Sequence, residues 1–178
     1  MTSGWDGSGA WPHPPETAAE PTDGGHSYPG RMDDRDATDT DAIVEAILRG
    51  YDTITVVGAS TVPAKAAHTV PAHMQAHGWR IVPVNPLATE LLGEPAYPTL
   101  ADVPRPVGLV DVFRPSRATP DIARQAVAAG ATALWLQLGI ASAEARRIAE
   151  DAGLLYVEDR CLIIERRRLG LEAPRAGG

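Results

Sequence analysis

Four short segments carry the residues whose types and placement suit chemistry: Gly58-Ala59-Ser60, Pro83-Val84-Asn85-Pro86, Asp111-Val112-Phe113-Arg114 and Leu136-Gln137-Leu138-Gly139. Each closes a run of apolar or β-branched residues, so each is expected at the carboxyl end of a strand, the edge where open parallel sheets bind ligands. The first leads through Thr61-Val62-Pro63-Ala64 to Lys65, the single lysine among the 16 basic residues of the chain. Backbone N–H groups in such a loop, with the start of a helix behind them, make an anion site fit for a phosphate. A compact ammonium suits the same ligand. Taken alone, Gly-x-Ser reads equally well as a tight turn, and Lys65 as an exposed lysine at a helix start. Only the first glycine of the dinucleotide fingerprint is present, and Val84-Asn85-Pro86 lacks the acid that holds a nicotinamide-dinucleotide ribose.

At the third strand end, Arg114 can meet a phosphate bidentately. Asp111 can accept hydrogen bonds from a sugar or from loop amides, or the two can form a structural ion pair. Gln137 offers a neutral amide, able to orient an amide-bearing ligand or to satisfy loop backbone. Cys161, next to Arg160, is either a reactive thiol or a buried, inert one. His73 and His77 share a helical face but have no third metal ligand beside them. No Gly-x-Ser-x-Gly elbow or Walker loop occurs, so no catalytic constellation is visible.

The elements that must position these segments follow from apolar spacing. Ile43, Val44, Ile47 and Leu48 predict a helix from Thr40 to Gly50, and Thr53–Val57 a buried strand. A helix over 65–77 contains Pro71, which marks its true start or a kink. Strands are expected at Arg80–Val84, Val107–Phe113, Ala131–Leu136 and Leu154–Val157, helices at Thr119–Ala129 and Ser142–Ala152, and a short helix near Leu100-Ala101-Asp102 in the turn-rich segment 87–106. Strands alternating with helices give a parallel sheet. The fold class is α/β: a Rossmann-like doubly wound parallel sheet in three α/β/α layers, expected over residues 39–170. Residues 171–178 read as a flexible end.

Residues 1–38 are rich in Gly, Pro, Ser, Thr and Asp, lack apolar periodicity, and read as a disordered acidic tail. Met32 offers an alternative start. Residues 1–40 hold eight acids against Arg31 and Arg35, so of the net charge of −7 only about −1 remains for residues 41–178. A near-neutral body has no broad basic face for a nucleic-acid backbone. A single cysteine fits a reducing compartment. With neither a membrane-length apolar run nor a secretory signal, a cytoplasmic protein is expected.

Several short stretches in one order carry a resemblance: Val57-Gly58-Ala59-Ser60, Pro83-Val84-Asn85-Pro86, Leu92-Gly93-Glu94, Tyr97-Pro98-Thr99-Leu100, Val110–Arg114, Trp135–Ile140 and Asp159-Arg160-Cys161. The chain resembles the small stand-alone CoA-binding domain proteins, relatives of the CoA-binding domain of the succinyl-CoA synthetase α-subunit. The resemblance implies coenzyme A as bound ligand, with CoA or acyl-CoA as the partner. It implies that Gly58, Ala59, Ser60 and Lys65 hold the CoA phosphates and that Val82, Pro83, Val84 and Asn85 border the adenosine. Arg114, with Asp111 and Phe113 on the same strand end, would charge the mouth, and Gln137 and Gly139 would lie along the pantetheine. The family pattern usually places a His after the Glu at 165, where this chain has Arg166. Relatives that perform ligase chemistry add a second domain with a phosphorylated histidine and an ATP-grasp partner. Here the fold is used up near residue 169, and the expectation is a binding module without catalysis of its own. An NAD(P)-binding oxidoreductase or sensor, and a redox role for Cys161 with CoA, are the alternatives.

Overall fold

The structure, a computed structural model, describes residues 34–174, with side chains from Asp39 onward. Residues 1–33 and 175–178, and the disorder expected of them, lie outside the described residues. The chain opens with helix α1 (Asp34–Gly50), whose Val44, Ile47 and Leu48 are completely buried. Its first turn falls inside the segment read as tail. Strand β1 (Thr53–Val57), helix α2 (Ala66–Ala76) and strand β2 (Arg80–Val84) follow. Two-residue strands β3 (Glu90–Leu91) and β4 (Glu94–Pro95) then form a hairpin across Leu92-Gly93. Both turn residues have positive φ (58° and 74°), as a tight hairpin demands.

A 3-10 turn at Leu100–Asp102, capped reciprocally by Thr99 and Asp102, leads to strand β5 (Leu109–Val112). Helix α3 (Thr119–Ala128), strand β6 (Ala133–Leu136), helix α4 (Ala143–Asp151), strand β7 (Leu155–Val157) and helix α5 (Leu162–Leu169) complete the fold. Strands β5 and β6 are shorter than the apolar runs that announce them, because Val107 and Ala131 are buried in the loops ahead of the ladder.

The five long strands are all parallel in the order β2-β1-β5-β6-β7. The chain reverses direction of travel across the sheet between β1 and β5, the switch point of a doubly wound fold. Strand alternation sorts the core. Ile54, Val56, Leu109 and Trp135 pack with α1, α2 and α5, while Val110, Val112, Leu134 and Leu136 pack with α3 and α4. The two fully buried tryptophans each satisfy their indole N–H on a carbonyl, Trp79 on Tyr51 and Trp135 on Arg160. The crossover from β2 to β5 contains no α-helix, so over β1 and β2 one face of the sheet is roofed only by loop.

Pro71 sits inside α2 without ending it. Its missing N–H leaves the carbonyl of Ala67 without its usual helical donor, and the amide of Ser60 takes that place at 3.0 Å. The proline thus ties the loop after β1 to the helix it feeds. After α5 the chain is also tied down, by Leu171 N–H on the Arg166 carbonyl and Ala173 N–H on the His77 carbonyl.

Candidate functional site

At the carboxyl edge of the sheet three loops converge on the switch point. Gly58 has φ +89°, and a Cβ there would lie 2.8 Å from Cδ of Arg114 and 3.2 Å from the carbonyl of Phe113. Both conditions exclude a side chain: the backbone conformation favours glycine, and the stem of Arg114 lies directly over it. The loop is braced from the next strand. Asn85 donates from Nδ2 to the Ala59 carbonyl (2.8 Å) and accepts the Leu87 amide on Oδ1 (2.7 Å). Its amide is therefore spent on holding two loops together. Tyr97 runs beside β2, receiving the Asn85 amide on its carbonyl and giving its own to Pro83.

Ser60 closes a small turn, its Oγ accepting the Val62 amide at 3.1 Å. A residue the sequence reading missed then locks the loop to α2: Nδ1 of His68 lies 2.8 Å from the Ser60 carbonyl. A carbonyl only accepts, so Nδ1 carries the proton. A histidine in the first turn after a phosphate-type loop was the available signal. The amides of Ala66 and Ala67, first in α2, have no acceptor among the described residues. Lys65 stands at the N-cap, exposed, with its ammonium unpaired among the described residues. Arg114 and Arg117, both exposed, likewise have no carboxylate partner there.

The remaining expected residues divide. Gln137 is 4% exposed and donates from Nε2 to Oδ1 of Asp111 at 2.9 Å. Asp111 is fully buried, its Oδ2 has no partner, and it does not pair with Arg114. Strand alternation turns it with Leu109 and Trp135 into the core beneath the site, out of a sugar's reach. Burial pushes its carboxyl up to about 7, against the opposing effect of the Gln137 and Val112 N–H groups. Phe113 is half-buried against the same core. Gly139 (φ +79°) gives its amide to Oδ1 of Asp159 at 2.6 Å, which anchors that loop to the one after β7. Val82 faces away from this edge, into a cavity at the opposite one. Pro83 and Val84 are buried at the end of β2.

Around the edge stand three exposed apolar side chains, Val62, Leu87 (95% exposed) and Leu138 (62%), one on each loop. Cys161 is the N-cap of α5, half-buried against the core. His73 and His77 stack at 4.3 Å, and no metal-holding group of three His, Cys, Asp or Glu exists among the described residues.

A doubly wound sheet whose switch point opens under a glycine turn, a helix start and unpaired cations defines a Rossmann-like ligand-binding domain. Comparison with known proteins narrows this. A family model, the CoA binding domain, matches residues 52–167, and the chain belongs to that family. It is 34% identical over 121 residues to Bacillus subtilis YneT, covering 68% of this chain and 90% of that one. It is 29% identical over 119 residues to an ADP-forming acetate–CoA ligase of Archaeoglobus fulgidus, covering 61% of this chain but 17% of the ligase. A solved structure of a hypothetical protein from Pyrococcus horikoshii superimposes with a TM-score of 0.70 at 36% identity, covering 74% of this chain and 93% of that one.

Proposed function

We propose that this protein is a cytoplasmic module that holds CoA or an acyl-CoA across the carboxyl edge of β1, β2 and β5 and performs no chemistry on it. The observation that carries the reading is a pair of cations with no carboxylate partner among the described residues, Lys65 at the N-cap of α2 and Arg114 with its stem over Gly58, beside a helix start whose first amides lack acceptors there. A polyphosphate supplies what all of them lack. The Gly58-Ala59-Ser60 turn admits the phosphate to the backbone. Asn85 and Asp111 act as positioning residues, the first by bracing the turn and the second by orienting Gln137. The apolar rim of Val62, Leu87 and Leu138 suits the pantetheine arm. Among the described residues no helix is long and apolar enough to cross a membrane. No carboxylate stands at Val84-Asn85-Pro86 to favour a nicotinamide dinucleotide instead.

Calorimetry on the full chain, freed of copurified ligand, tests the reading with CoA, dephospho-CoA and NAD. Binding of CoA at roughly micromolar Kd is expected, weaker for dephospho-CoA and absent for NAD. Lys65→Ala and Arg114→Ala should each weaken CoA by about tenfold, or ~1.4 kcal/mol, while moving stability by less than ~0.5 kcal/mol. No heat with millimolar CoA, or equal affinity for NAD, would remove the proposal.

A further inference from the structure

A second concave site lies at the other end of the sheet, where β1, β2 and β5 begin. It is a cavity of about 540 Å³, within the range of roughly 300–1,000 Å³ that small-molecule sites occupy. Its floor is the sheet face that no helix covers. The parallel register sets Thr53 opposite Arg80 and Thr55 opposite Val82, all four lining the cavity. Tyr97 and the run Val103–Val107 form the roof.

Three features distinguish this space from a packing defect. Thr55 is only 2% exposed, and its hydroxyl has no partner among the described residues. An apolar side chain would serve a purely structural strand position as well. Arg80, at the start of β2, has no carboxylate partner among the described residues. Neither has Arg105, whose Nη2 is fixed on the Ala128 carbonyl at 2.8 Å, leaving the rest of its fork open. The opposing charge on the rim is Asp52, and one of its oxygens already accepts the Thr53 hydroxyl at 2.9 Å. The balance at the mouth is positive.

We propose that this cavity is a binding site, separate from the carboxyl edge, for a small organic anion. The ligand is a carboxylate or phosphate ester whose charged group meets Arg80 and Arg105. Its apolar body lies along Val82 and Tyr97 and reaches the Thr55 hydroxyl. The inference does not depend on CoA being the ligand of the other edge.

The test is a titration of the ¹⁵N-labelled full chain, followed by amide chemical shifts, with octanoate, hexyl phosphate and 1-octanol. At least one anion should shift the amides of Thr53, Arg80, Gly108 and Thr132 with saturation, and the tighter of the two identifies the headgroup. Octanol should bind about tenfold more weakly or not at all, and Arg80→Gln or Arg105→Gln should weaken the anion by about fivefold or more. Both arginines are exposed, and the same spectra report whether the variants are folded. The proposal is overturned if neither anion shifts these amides, if the shifts centre on Gly58–Lys65 and Gln137–Gly139, if octanol binds equally well, or if both variants bind as the parent does.

Discussion

The two halves of the sheet treat their charges in opposite ways. Around β6, β7 and α5 the buried and half-buried charges are matched to one another. Glu158 accepts from the Tyr156 hydroxyl (2.7 Å), the Ser142 amide (2.8 Å) and Arg146 (2.9 Å). Burial raises its pKa, but these donors outweigh burial and hold the carboxyl below its usual range. Glu165, 3% exposed, is held by Arg160 at 3.0 Å and Arg168 at 2.7 Å, and both arginines also reach Asp41 on α1. Arg166 is engaged by Glu172 and the Leu171 carbonyl. Around β1, β2 and β5 the cations Lys65, Arg80, Arg105, Arg114 and Arg117 find no carboxylate among the described residues. An arginine-rich composition therefore says little about ligands. What separates the two regions is whether the protein itself answers the charge.

The largest expected effect concerns Asp111, the buried acid on the side of the open cations. Its carboxyl ionises near 3.8 in the unfolded chain and near 7 in the folded one. Between those values the folded state binds the additional proton, so stability falls as pH rises. The contribution is fully present below about pH 4 and lost above about pH 7, at a limiting slope of ~1.4 kcal/mol per pH unit. Asp111→Asn keeps the oxygen that Gln137 contacts and cannot ionise. Urea denaturation from pH 4.5 to 7.5 should show the parent losing stability relative to this variant. Parallel profiles would mean that the acid is solvated or paired in solution.

Next in size is Glu165→Ala, which leaves two guanidinium groups in the matched half with only Asp41 to share. Losing a buried carboxylate between two arginines costs about 3 kcal/mol, reduced from the upper range because both partners are partly exposed. Denaturant midpoints should fall accordingly, while CoA affinity of the folded fraction stays unchanged. A change in affinity without loss of stability would place Glu165 on the ligand side of the comparison. Gly58→Ala should behave in the reverse manner. Positive φ and the collision with Arg114 cost about 1–2 kcal/mol of stability. CoA affinity should drop by more than the tenfold expected for Lys65→Ala, because the arginine stem and the backbone cradle move together. Unchanged affinity in this variant would take the turn out of the site.

Much of the frame was legible in the residues. Thr53–Val57 and Arg80–Val84 are strands with the expected bounds, because β-branched runs closed by Gly or Pro leave few alternatives. Helix α5 was not foreseen. Its Glu165 and Arg166 are buried yet charged, so the apolar stripe that announces a helix is broken by two charges, tolerable because Glu165 pairs with Arg160 and Arg168 and Arg166 with Glu172. The strand-end loops were legible as loops that meet at one edge of the sheet, but the division of labour within them was not. Residue type cannot show that Asn85 spends its amide on Ala59, or that Asp111 turns inward while Arg114 turns out. The amino-edge cavity was also hidden, since its walls come from segments as distant as Tyr51 and Thr132.

The smallest effect sharpens the comparison from its quiet side. Arg147 and Asp151 form an ion pair at 3.4 Å one turn apart on α4, with side chains 67% and 69% exposed. Water and salt screen such a pair, and fixing two long side chains offsets most of the attraction. Arg147→Ala should therefore change stability by no more than ~0.5 kcal/mol at low salt, less still at high salt, and leave CoA affinity alone. The matched half would then owe its stability to Glu165 and Glu158, where burial makes pairing necessary. A loss comparable to that of Glu165→Ala would instead mean that the charges on α4 act as one network with Glu158 through Arg146. Salt titration of Arg147→Ala beside Arg146→Ala separates these cases, because a surface pair loses its effect in high salt whereas a half-buried carboxylate with three donors retains it.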